Sequence, residues 1–141
     1  MDEARMRYLE MIQRVVDRLA GNCFALKAWS VTVISAIFVL TAKDANEGYA
    51  VLGLFPALCF WGLNAYYLRQ ERLFRALHEE VVQSVIAQDA ETTIPLFSLD
   101  TTPVADRVPG WGRTLLAATV MWLHIPVIAA VLTVMVYSLV S

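Results

Sequence analysis

Residues 23–68 read CFALKAWSVTVISAIFVLTA, KDANEG, YAVLGLFPALCFWGLNAYYL: two apolar runs of twenty residues on either side of a six-residue polar turn. At about 1.5 Å of rise per residue, each run is about 30 Å long, the thickness of a bilayer's hydrocarbon core. The pattern predicts two transmembrane helices, 23–42 and 49–68, joined as a tight hairpin. Lys27 lies one turn inside the first run, where its amine can snorkel toward headgroups, and Trp29 is placed as an interfacial anchor. Tyr66 and Tyr67 close the second run with an aromatic pair.

Helical periodicity continues on both sides of the hairpin. Residues 3–20 set Tyr8, Ile12, Val15 and Leu19 on one stripe, widened by Leu9, Val16 and Met11, with charges opposite and Glu3–Arg7 and Glu10–Arg14 in the favourable i,i+4 order. Gly21-Asn22 then reads as a hinge or a cap. Residues 69–88 set Leu73, Leu77, Val81 and Val85 on a second stripe, flanked by Phe74 and Ile86. Each stripe needs a cover, so the two helices are expected to pack as an antiparallel cytoplasmic stalk. Residues 89–112 lose the period; Pro95, Pro103, Pro109 and Gly110 mark an irregular linker, and Ile94, Leu96, Phe97 and Leu99 suggest that it lies along the stalk. A third apolar run, 114–140, carries no formal charge and is long enough to span with tilt. The expected fold is all-α and polytopic. In order come an amphipathic helix (1–22), a transmembrane hairpin (23–68), a second cytoplasmic helix (69–88), a Pro/Thr-rich linker (89–112) and a third transmembrane helix (114–141).

Composition agrees with this division. The 141 residues are 58% hydrophobic and only 17% charged, and the mean hydropathy is +0.56. A water-soluble domain of this size buries only about 68–70% of its unfolded surface and could not hide so much apolar area. The net charge of −2 gives nucleic acid no bulk attraction. The positions of the charges set a topology: with residues 1–27 and 69–113 in the cytoplasm, ten of the eleven basic residues lie inside and only Lys43 outside. The N-terminus is then cytoplasmic and the C-terminus lies across the membrane, periplasmic or extracellular. Residues 1–20 lack the compact apolar core of a signal peptide, so the first span is expected to remain in the mature protein. Cys23 and Cys59 fall at different depths and are expected to be reduced, small apolar fillers.

No Asp, Glu or Arg falls within any of the three runs, which disfavours proton- or cation-coupled transport. His124 is the intramembrane group able to titrate near neutrality, and Pro126 two residues later predicts a kink. It reads either as a pore-lining or gating histidine, or as a neutral imidazole hydrogen-bonded to a neighbouring helix. Asn64 likewise needs a partner, from another helix or another subunit. Small residues recur at four-residue spacing, Ala28, Thr32 and Ala36 with Ser35 beside them, and Gly53 with Ala57. Such faces allow close helix approach. Thr119, His124, Thr133 and Ser138 share no stripe, so any pore would be built from several copies. There is no nucleophile elbow, phosphate-binding loop, dinucleotide fingerprint or zinc-protease motif. No catalytic residue, metal site or cofactor is therefore expected.

The layout over residues 3–88, with YLEMIQRVVDRLAGN (8–22) and AYYLRQERLFRAL (65–77), resembles the SLATT-type membrane modules of bacterial anti-phage systems. The resemblance covers about 60% of the chain and leaves out the third span. It implies a membrane-disrupting or pore-forming effector of the inner membrane, triggered by a partner, and supplies no site residue. Two functions follow as expectations. One is a homo-oligomeric inner-membrane effector that forms or gates a pore under control of its stalk. The other is a non-conducting anchor whose stalk recruits a soluble cytoplasmic protein.

Overall fold

The computed structural model describes residues 3–44, 47–87 and 94–140. The described residues are helical, with turns and no strand. In order they form α1 (Glu3–Asp44), α2 (Glu47–Ile86), a 3-10 segment (Thr102–Arg107), α3 (Trp111–Leu115) and α4 (Ala118–Val140). Three helices are long and apolar enough to cross a membrane.

The amphipathic segment and the first apolar run form one unbroken helix of 42 residues. Gly21-Asn22 therefore caps no helix. One mid-helix glycine costs about 1 kcal/mol relative to alanine, too little to end a helix with good formers on both sides. The turn shortens as well: α1 runs to Asp44 and α2 starts at Glu47, with residues 45–46 outside the described residues. α2 carries Pro56 inside it and also passes unbroken from apolar run to amphipathic segment. Residues 88–93, the expected end of that segment and start of the linker, lie outside the described residues.

The chain divides into two compact units, Met1–Asn22 with Tyr67–Gly110, and Cys23–Tyr66 with Trp111–Ser141. In the first unit α1 and α2 pack through Tyr8, Ile12, Val16, Leu77 and Val81. The linker covers this seam with Ile94 and Val104, both in the same cluster. Val16, not Val15, is the fully buried valine of the α1 stripe, and Val15 is half-buried. Leu19 and Leu73 are buried as the stripes require, Val85 is half-buried and Ile86 is exposed. Of the four linker residues expected to lie along the stalk, only Ile94 is buried; Leu96, Phe97 and Leu99 are exposed. The Tyr8 hydroxyl donates to the Ser98 carbonyl at 2.5 Å, and Arg107 pairs with Glu80 at 2.6 Å. The Ser98 amide donates to the Pro95 carbonyl, closing a turn in which Phe97 stands at φ 63. That position favours glycine; here the Phe97 ring lies 5.8 Å from the Tyr8 ring, centroid to centroid.

In the second unit the third apolar run is not one helix. α3 ends at Leu115 and α4 begins at Ala118. Between them the Leu116 and Ala117 amides donate to the Arg113 and Thr114 carbonyls, three residues back. A core of Ile34, Ala57 and Val131, one from each of α1, α2 and α4, is flanked by Phe38, Leu54, Val127 and Ile128. On α1 the buried residues of this unit are Cys23, Ser30, Ile34 and Thr41, a spacing near 3.5 residues that keeps one seam facing its neighbours. Gly53 permits the close approach of α2, since a Cβ there would stand 3.2 Å from Ile37 Cγ2.

Candidate functional site

The packed core of the second unit holds polar atoms that need partners. Asn64 on α2 and His124 on α4 are each 1% exposed, and Asn64 Nδ2 lies 3.2 Å from His124 Nε2. An amide nitrogen only donates, so Nε2 accepts and the neutral ring carries its proton on Nδ1. That second nitrogen is buried and finds no partner among the described residues, and neither does Ser30 Oγ on α1. α2 and α4 thus meet at a buried polar pair. The two sites read separately from the sequence, Asn64 and His124, satisfy each other across a helix pair. A bond of this kind is what the helix-bonding alternative for the histidine requires. Pro126, by contrast, is exposed.

Two tryptophans tie α3 to α2 beside this pair. Trp61 Nε1 donates to the Leu115 carbonyl and Trp111 Nε1 to the Gly62 carbonyl, both at 3.1 Å. In an unbroken helix the Leu115 carbonyl would accept from the amide of Thr119. Its bond to the Trp61 indole accounts for the stop at Leu115 without proline or glycine. The clue in the sequence was that an indole N–H in an apolar run needs an acceptor.

Thr32 and Ser35 lie elsewhere. Both are exposed, as are Ala28 and Ala36, so this small-residue face of α1 points away from its own bundle. Buried small positions are Ser30 on α1 and Gly53, Ala57 and Ala65 on α2. The Thr32 hydroxyl donates to the Ala28 carbonyl at 2.9 Å and that of exposed Thr133 to the Ala129 carbonyl at 2.8 Å. These hydroxyls are satisfied within their own helices. The Ser138 side chain lies outside the described residues. Around them the surface is apolar: Phe24, Phe55, Trp122 and Tyr137 are each more than 70% exposed, a surface that water does not tolerate over such an area.

The two cysteines form no disulfide. Cys23 is buried, but Cys59 is exposed and does not fill the core, because Ala57 occupies the inward position of that turn. Among the described residues no three His, Cys, Asp or Glu side chains gather to hold a metal. No family model, curated protein or solved structure matches the chain.

Proposed function

We propose that this chain is a homo-oligomeric effector of the inner membrane, perturbing or opening the bilayer under control of its cytoplasmic stalk, in the manner of SLATT-type defence modules. The observation that carries this reading is the outward face of α1. Ala28, Thr32, Ser35 and Ala36 are small, exposed and set at helical spacing on a helix suited to span a membrane. In lipid, small residues at four-residue spacing let helices of neighbouring copies approach closely. Control by the stalk is supported by α1 and α2, each a single helix shared by both units. The orientation has the N-terminus and residues 69–113 in the cytoplasm and the C-terminus in the periplasm, on the charge asymmetry. The reading requires neither catalysis nor a cofactor.

The test replaces Ala28 and Ala36 together by leucine, thickening the outward face without touching the core. In bacterial cells carrying a potential-sensitive dye, the unaltered chain depolarises the membrane when its stalk is triggered. The variant, inserted equally well, does not. In mild detergent the unaltered chain is an oligomer and the variant a monomer. A monomeric unaltered chain, or depolarisation by the leucine variant, sinks the proposal. The alternative, a non-conducting anchor for a soluble partner, is favoured by one feature. A groove of about 270 Å³ in the first unit, lined by Arg5, Tyr8, Ser84 and Pro95 among others, mixes charge and apolar surface as a peptide-binding site does. An unaltered chain that stays monomeric and leaves the potential intact favours that reading.

A further inference from the structure

The segment that crosses the stalk seam is held at few points, and two of them fall on Tyr8. Of residues 94–108 only Ile94 and Val104 are buried, both in one cluster with Tyr8, Ile12, Leu77 and Val81. The Arg107–Glu80 pair leaves both side chains partly in solvent, where an ion pair contributes little. The Tyr8 hydroxyl donates to the Ser98 carbonyl, and the Tyr8 ring meets that of Phe97. Phe97 stands at φ 63, a backbone region strained for a residue with a bulky side chain. Such a conformation persists only where its surroundings enforce it. Here they are the Tyr8 contacts and the turn closed by the Ser98 amide on the Pro95 carbonyl. Loss of the Tyr8 contacts lets that backbone relax, so strain and latch oppose each other at one turn. Between the turn and the helices lies unfilled space, a groove of about 270 Å³ whose lining includes Tyr8, Ser84, Pro95 and Leu96. Bonds from the Val104 amide to the Thr101 carbonyl and from the Val108 amide to the Ala105 carbonyl run within the segment and need not break when it lifts away. α1 and α2 also meet each other through Ile12, Val16, Leu77 and Val81, and these contacts remain without it.

We infer that residues 94–108 are a strap latched by Tyr8, which opens as one unit while α1 and α2 stay paired. On the effector function proposed above, the open strap is the active form of the stalk. Few buried side chains, a strained turn and space beside it mark a segment of low local stability, the class from which moving elements are drawn. Opening bares Tyr8 and the seam beside Ile94 and Val104, and closing covers them, so the strap is an inhibitory contact within the chain.

Amide exchange of the full chain in mild detergent, followed by NMR, tests the opening. The Ser98, Val104 and Val108 amides are expected to exchange about tenfold or more faster than the amides of α1 and α2 around Ile12 and Leu77. Tyr8→Phe removes one hydrogen bond and should speed exchange about fivefold at Val104 and Val108 as well as at Ser98. Val104→Ala removes buried carbon at the other end and should speed Ser98 about tenfold. The helix amides keep their rates in both variants. Exchange of the strap in step with α1 and α2, or a Tyr8→Phe effect confined to Ser98, overturns the strap. Its control of the effector is read in bacterial cells carrying a potential-sensitive dye. Without a trigger, Tyr8→Phe should raise the depolarised fraction about fivefold over that of the unaltered chain. An unchanged fraction, in a chain that depolarises when triggered, overturns the control and leaves the effector function standing. A chain that never depolarises overturns the effector function and the role given to the open strap, while the exchange rates still decide whether the strap opens.

Discussion

Replacing Asn64 by leucine tests the polar centre directly. The side chains have the same number of heavy atoms, so the change removes the amide without opening a large cavity. It takes away the 3.2 Å bond to His124 Nε2 from a ring whose Nδ1 already has no partner. The imidazole is then 1% exposed with neither nitrogen satisfied. A buried polar group left without a partner costs about 1–3 kcal/mol. His124→Leu orphans the Asn64 amide instead and should cost a similar amount. The double variant orphans neither, and apolar replacement of both partners is close to neutral. The two single losses therefore should not add. Coupling between polar side chains on membrane helices averages about 0.6 kcal/mol and reaches about 1.7, and the upper half of that range fits a pair this deeply buried.

The assay is reversible unfolding in mixed micelles with increasing dodecyl sulfate, followed by helix content and by tryptophan fluorescence, for the unaltered chain, both single variants and the double. The expected result is two destabilised singles and a double less destabilised than their sum. A double equal to the sum, within the scatter of about 0.3–0.5 kcal/mol seen for independent sites, refutes the claim that the two side chains satisfy each other. The same outcome would return His124 to the pore-lining reading, since an unpaired imidazole must find its partner in water or another subunit.

Other perturbations address other elements. Gly21→Ala should stabilise α1 by about 0.5–1 kcal/mol, because a Cβ at Gly21 meets nothing within 4 Å; a loss of stability in the same unfolding assay would show that the chain bends there. Gly53→Leu should destabilise by about 1–3 kcal/mol through overpacking, since the first added carbon already stands 3.2 Å from Ile37 Cγ2; an unchanged unfolding midpoint would contradict the close approach of α2. Tyr8→Phe removes the bond to the Ser98 carbonyl and should cost about 1 kcal/mol, read as faster amide exchange over residues 94–99. Burial raises the Tyr8 phenol above its usual 10.0; its contribution is full below pH 10.0 and disappears as pH rises through the higher folded value, so Tyr8→Phe should flatten that alkaline loss. Bonds from the Thr102 hydroxyl and then its amide hold Asp100 below its usual 3.8. This pair of bonds is complete above pH 3.8 and released as pH falls through the lower folded value, so the Thr102 amide resonance should move only in acid.

The legible parts of this fold were those decided locally. Length alone identifies the apolar runs, because a helix of given residue count has a given reach. Tyr8, Ile12, Leu73, Leu77 and Val81 follow from period alone. The misses share a cause: each was decided by a contact between elements distant in sequence. Nothing in LLAAT marks a helix stop, and the break at residues 116–117 reflects an indole 54 positions away. Ala28, Thr32 and Ala36 formed a plausible packing face, but Ser30 and Ile34 lie on the seam. Spacing alone cannot say which face of a helix apolar all around meets its own chain. Asn64 and His124 were each visible as polar atoms needing partners; that they would meet required the register of α2 against α4.

The division between inward and outward polar atoms bears on how the protein could act. The inward pair is satisfied only across helices, so separating α2 from α4 leaves both side chains without partners, and the bundle should open only at a cost that exceeds a weak signal. The outward hydroxyl of Thr32 bonds to a carbonyl of its own helix. Two copies can meet on the α1 face and part again without leaving that group unsatisfied. Association there gains packing between small residues, loses no hydrogen bond of Thr32, and is opposed mainly by the entropy of bringing copies together. An equilibrium set by such small opposing quantities is one that a stalk can shift, because 1.4 kcal/mol of differential affinity changes it tenfold. On the function proposed above, bundles that stay packed and assemble reversibly need less free energy than bundles that unpack, and the proposed switch is the face of Ala28, Thr32, Ser35 and Ala36 instead of His124.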